Sequence, residues 1–210
     1  MSMSTVHKLK LAALLLLTAC GSDSAPTVID GGALLSLAAH NPTTHGVTGS
    51  IAIQSQHAYA DVDGGSVTVR GGSVHLTVGA GGPIPRIPDS FIRSIAVFGY
   101  AWADLDTGAA IVSVIHPVIG RDSHQNPDGW HTHPVQLGAG TGASDFCIVS
   151  IGGSQAGIRI VGDAMSLSVP ARFVPVGGAA LDVVASFVVK VDAGCAGSGL
   201  GVAILDAAGL

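Results

Sequence analysis

The sequence predicts an all-β protein, an antiparallel β-sandwich of roughly ten strands with little helix. Three observations carry that reading. All 14 acidic residues are Asp, and Lys occurs only at Lys8, Lys10 and Lys190, so the side chains that favour and solubilise exposed helices are almost absent. Gly occurs 30 times beside abundant Val, Ile, Thr and Ser, a mixture suited to strands and tight turns. Short apolar runs recur between turn residues along most of the chain. With 210 residues, 48% hydrophobic and 11% charged, the chain can bury a core and lacks the composition of a disordered protein.

The extended runs are expected at residues 47–54, 66–69, 73–78, 92–104, 109–119, 130–137, 146–151, 157–161, 164–169, 181–191 and 201–205. The runs at 66–69 and 73–76 read as a hairpin, and Asp106-Thr107-Gly108 turns the 92–104 run onto the next. Pro83, Pro85 and Pro88 remove too many backbone donors for a sheet interior, so 79–88 is a loop or crossover. Residues 31–40 carry the only helical pattern, which fits a short strand nearly as well. What precedes residue 79 is too little for its own core, so residues 31–210 read as one β-sandwich domain.

At the N-terminus, His7-Lys8-Leu9-Lys10 forms a small basic region and residues 11–19 an apolar run, the layout of a signal peptide over 1–19 and too short to span a bilayer. Leu17-Thr18-Ala19-Cys20 resembles the lipobox of bacterial lipoproteins. That resemblance implies cleavage before Cys20, diacylglycerol on its sulfur and a further acyl chain such as palmitate on its amine; several chains anchor a protein to a membrane far better than one. Residues 20–30 would then be the lipidated Cys and a tether, and Gly21, where Asp would favour the inner membrane, points to the outer membrane of an envelope that has one. Cleavage elsewhere, with Cys20 incidental, is the alternative. Loss of Lys8 and Lys10 takes the formal charge from -5 to -7. This mildly acidic chain, without a basic patch, does not suit nucleic acid.

Once Cys20 is lipidated, Cys147 and Cys195 remain, and an exported chain meets an oxidising compartment. A disulfide between them closes a loop of 48 positions, worth roughly 4 kcal/mol in the chain-entropy model. Two separate buried thiols are the other reading.

Four histidines, His116, His124, His131 and His133, fall close together with Asp122 and Asp128 among them. On a strand, His131 and His133 share a face. If the runs around 109–119 and 130–137 pair antiparallel with opposed residue numbers summing to 247, His116 faces His131 and three imidazoles converge, an arrangement that suits Zn or Cu. Asp122, His124 or Asp128 would add a ligand or orient a ring. The competing reading is structural: Val112, Val114, Val135 and Leu137 continue the same face, so the rings would sit at a core edge and hydrogen-bond to loop carbonyls, with Trp130 on the opposite face. Gly129-Trp130-His131-Thr132-His133 resembles the copper-binding strand of Cu/Zn superoxide dismutases over those five residues. Thr132 replaces the usual apolar residue, no bridging-histidine loop follows, and residues 194–210 hold no Arg to guide superoxide, so dismutase activity is not implied.

No catalytic residues stand out. The glycines at 138–142 precede a strand rather than the helix a dinucleotide site needs, and residues 152–156 lack the strand-turn-helix setting of a nucleophile elbow. Asp61-Val62-Asp63-Gly64 begins like a calcium loop but has Gly72 at the twelfth position, and reads as a hairpin turn. Two function classes remain. One is a lipid-anchored envelope protein, non-catalytic, that binds or supports a protein or small-molecule partner; the other is a His-rich Zn or Cu metalloprotein.

Overall fold

The computed structural model describes residues 56–117, 129–153, 156–174 and 181–210. The signal segment, Cys20 and its tether, the pattern at 31–40, the run at 47–54, and Asp122, His124 and Asp128 lie outside the described residues.

The described chain is antiparallel β almost throughout. Its strands are β1 (Val62–Arg70), β2 (Ser73–Ala80), β3 (Val97–Ala103), β4 (Ala109–Ile115), β5 (His131–Ala139), β6 (Phe146–Ile151), β7 (Gly157–Val161), β8 (Ala164–Pro170), β9 (Val183–Val191) and β10 (Leu200–Gly209). They form two sheets. One has four strands in the order β1-β2-β8-β7; the other closes into a barrel in the order β10-β6-β5-β4-β3-β9. The β1-β2 hairpin turns through Gly71 and Gly72, whose φ of 55° and 78° ask for residues without a Cβ.

Two expectations are corrected here. Residues 92–104 do not form one strand, because Ser90–Ile95 is a helix, α1. Asp89 caps it by accepting a hydrogen bond from the Ile92 amide at 2.9 Å, and Ala96, at φ 73°, ends it. The spacing of Phe91, Ile92 and Ile95 fits a helical face as well as a strand, so the capping carboxylate decides. Residues 61–64 are not a hairpin turn either. They open β1, with an irregularity in register between Val62 and Gly64 that absorbs the φ of 143° at Gly64.

The four-stranded sheet packs on the outer wall of the barrel, and the best-packed core lies between them. Val74, Leu76, Met165 and Leu167 of the sheet meet Phe98, Tyr100, Trp102, Ile111 and Ile115 of the barrel wall. Polar tips are satisfied as they are buried: Trp102 Nε1 donates to the Thr77 carbonyl at 2.9 Å, and the Tyr100 hydroxyl donates to the Tyr59 carbonyl at 2.5 Å. Burial pushes the Tyr100 phenol well above its ordinary range.

Candidate functional site

Alternation along each barrel strand sends one set of side chains outward to this core and the other inward. On β3 the inward set is small. Gly99, Ala101 and Ala103 on β3 and Ala185 on β9 face the interior beside several valines, and the large inward rings are Phe146 and Phe187. Gly99 has to be small, because a Cβ there would stand 2.8 Å from the Phe187 ring and 2.6 Å from the Ser113 carbonyl oxygen. The barrel is therefore hollow, with an apolar cavity of about 310 Å³. Fractional exposure agrees: Phe98, Tyr100, Trp102, Ile111 and Ile115 on the outer wall are at 0%, whereas inward Val112, Val114 and Leu137 each keep 7%.

Among the described residues, three side chains with ionisable groups line the cavity: Asp104, His116 and His133. Asp104 follows β3 at one end, where its Oδ1 accepts from the amides of Asp106 and Thr107 at 2.9 and 3.1 Å. This is the turn expected at residues 106–108, with Gly108 at φ 70°. His116 and His133 belong to the other end.

There β4 and β5 pair with Val114 opposite His131 and Val112 opposite His133. Opposed residue numbers sum to 245, not 247, so the register differs from the expected one by two residues. A shift of two keeps every side chain on its face, so His116, His131 and His133 still gather at one end of the barrel. The His116 and His131 ring centroids are 4.8 Å apart, those of His131 and His133 5.0 Å. Trp130 takes the outer side, stacked on Tyr100 at 5.6 Å, with its Nε1 donating to the Pro85 carbonyl.

Each of the three imidazoles spends Nδ1 on a backbone carbonyl: Pro117 at 2.7 Å for His116, Gly129 at 3.0 Å for His131 and Gly152 at 3.0 Å for His133. A carbonyl only accepts, so Nδ1 carries the proton, and in the neutral ring Nε2 is left with a lone pair. The Nε2 atoms of His116 and His131 stand 3.2 Å apart. Two imidazoles on one tetrahedral ion at about 2.0–2.1 Å would be about 3.3 Å apart; a proton on one ring joins them equally well. Among the described residues, no three His, Cys, Asp or Glu side chains are grouped so as to hold a metal ion. The carbonyl partners are those of the structural reading, and the Nε2 pair is the feature a metal reading needs.

The barrel closes between β6 and β10, where the ladder has two residue pairs, Gly201 with Cys147 and Val202 with Phe146. Cys147 and Cys195 form a disulfide across this seam, with Cα atoms 5.2 Å apart, tying β6 to the β9-β10 turn. Asp192 reinforces it by accepting from Thr141 and Ser144 hydroxyls at 2.6 Å each, and hydrogen bonds from Ser144, Thr141 and the Gly194 amide hold its carboxyl below the usual range.

Compared with family models, curated proteins and solved structures, the chain matches none of them significantly. The cavity itself escaped the sequence reading. Its signal was present in the alternate small residues Gly99, Ala101 and Ala103, but alternation does not say whether the opposite wall fills the space.

Proposed function

We propose that this is an exported, lipid-anchored protein of the cell envelope that binds one small apolar molecule inside its barrel, without catalysis. The hollow barrel is the observation that carries the binding role: a mostly apolar cavity of about 310 Å³, partly open to solvent, stands at the lower end of the range for small-molecule sites. The two layers are read as a β-sandwich in which one leaf has curled into a barrel. The envelope address rests on the signal-like residues 1–19, on the lipobox ending at Cys20, and on the Cys147–Cys195 disulfide, which suits an oxidising compartment.

The test uses the mature protein in lipid nanodiscs, with empty nanodiscs as the reference. Toluene should raise the melting temperature progressively, with the logarithm of its concentration once the site is filled. Absence of any rise at millimolar toluene would remove the cavity reading. Cys20→Ala should release the protein from membrane fractions or block its processing, and an unmodified mature N-terminus at another residue, seen by mass spectrometry, would rule out the anchor.

A second reading is favoured by the geometry of His116 and His131: their Nδ1 atoms are both fixed on carbonyls and their Nε2 atoms face each other at 3.2 Å. In that reading the pair, with His133 beside it, anchors Zn or Cu. Zn or Cu should then bind one per chain, less tightly in His116→Ala or His131→Ala, and more weakly as the pH falls through the imidazole range. Metal-free protein after incubation with both ions leaves the structural role of the rings.

A further inference from the structure

We infer that the occupant of the barrel is a medium-chain monocarboxylic amphiphile, its tail in the apolar barrel and its acid head at His133. This deepens the reading of the barrel as a binding site and rests on it. Size comes first. If a non-hydrogen atom takes about the 30 Å³ of one water in the liquid, a cavity of about 310 Å³ holds on the order of ten such atoms, the size of octanoate.

The head follows from the ionisable side chains that line the cavity. Asp104 stands at the far end, its Oδ1 engaged by two turn amides. His116 has both ring nitrogens in contact, with Pro117 and with His131. His133 lines the cavity, is half-buried and donates Nδ1–H to the Gly152 carbonyl in a solvent-exposed bond, which leaves its Nε2 lone pair for a ligand at that end. The His131 ring, at 5.0 Å, is the titratable group nearest to it among the described ring contacts.

A lone pair there selects a ligand that brings a hydrogen-bond donor: an alcohol, an ammonium or a carboxylic acid. An ammonium on a neutral imidazole leaves one uncompensated positive charge against an apolar wall, which is costly. An alcohol gives a neutral, ordinary hydrogen bond. A carboxylic acid shares its single proton with Nε2, and whether that proton rests on oxygen or on nitrogen the pair is neutral overall and the bond charge-assisted. Octanoate is ionised in neutral solution, so the shared proton is taken up from the solvent on binding, and octanoate affinity falls as the pH rises.

The experiment titrates octanoate, 1-octanol and octylamine into the mature protein in nanodiscs, with calorimetry corrected for empty nanodiscs. Octanoate should bind one per chain and at least tenfold more tightly than either of the others, the difference a charge-assisted hydrogen bond confers. His133→Ala should bring octanoate down to the level of octanol while toluene binding stays as in the parent. In the unmutated protein labelled with ¹⁵N-histidine, octanoate should move the His133 Nε2 resonance away from the bare position, part of the way with the proton on oxygen and fully with it on nitrogen, which needs no variant to fold. Equal binding of octylamine or octanol, or octanoate binding with the His133 resonance unmoved, would overturn the acid assignment while toluene binding keeps the cavity reading intact. If neither toluene nor octanoate binds, both fall.

Discussion

At the scale of single residues, one buried and one half-buried group stand out because their partners are incomplete or conflicting. Ser113 lies on the outer face of β4, fully buried, and its hydroxyl has no hydrogen-bond partner among the described residues. A buried hydroxyl without a partner costs about 1–3 kcal/mol, so Ser113→Ala should stabilise the protein by about 1 kcal/mol, read as a higher denaturant midpoint with an unchanged slope. Asp206, on β10, accepts from the Val62 amide at 2.7 Å, which favours its charged form. Burial outweighs that bond, and with the neighbouring Asp61 carboxyl it pushes Asp206 up to about 6. The folded state thus holds this proton more tightly than the unfolded chain, where a carboxyl titrates near about 4. The stability it contributes is full below pH 4 and is lost as the pH rises through about 6. Asp206→Asn keeps an acceptor for Val62, so melting temperatures of the variant should vary less between pH 4 and 7 than those of the parent.

The element that limits the barrel is its seam. Strands β9 and β10 pair from Leu200–Val191 to Gly209–Val183, whereas β6 and β10 share two residue pairs, so closure depends on what crosses beside the ladder. The disulfide, the Ser198 hydroxyl on the Ile148 carbonyl and the Asp145 carboxylate on the Ile204 amide do that. Converting Cys147 and Cys195 to Ser should lower stability by about 2–4 kcal/mol. Hydrogen exchange should speed up first in β6 and the start of β10, not in β2 or β8. Uniform loss of protection across both sheets would mean that the bridge acts on the unfolded chain alone.

For the whole molecule, the division into a dense interface and a hollow barrel gives opposite outcomes to the same kind of substitution. Enlarging a side chain in a packed core costs typically about 1–3 kcal/mol. Val184, fully buried between barrel and sheet, should follow that rule as Val184→Leu. Ala101, facing the cavity with 7% of its surface exposed, should accept Leu with little loss of stability. Ala101→Leu should abolish the rise in melting temperature with toluene, whereas Val184→Leu should lower the melting temperature and keep the rise. Equal destabilisation by both would mean that the barrel is as tightly filled as the interface.

The sequence by itself determined the antiparallel β class, the bounds of β6 and β7, the β1-β2 hairpin and the turn at 106–108, because each follows from local chemistry: alternation, glycine at positive φ and a side chain that caps its own turn. It also carried the shared face of His116, His131 and His133, since period two survives a register error of two residues, and Cys147 with Cys195 as the available pair. Tertiary structure decided the rest. Whether 90–95 became helix or strand turned on one capping carboxylate, and whether a sheet closed on itself turned on a seam between strands far apart in sequence. The hollow interior is a property of opposing walls: Ala101 and Ala185, more than eighty positions apart, stand side by side on neighbouring strands of one wall, and they leave a space only because the far wall does not fill it, which no local pattern records.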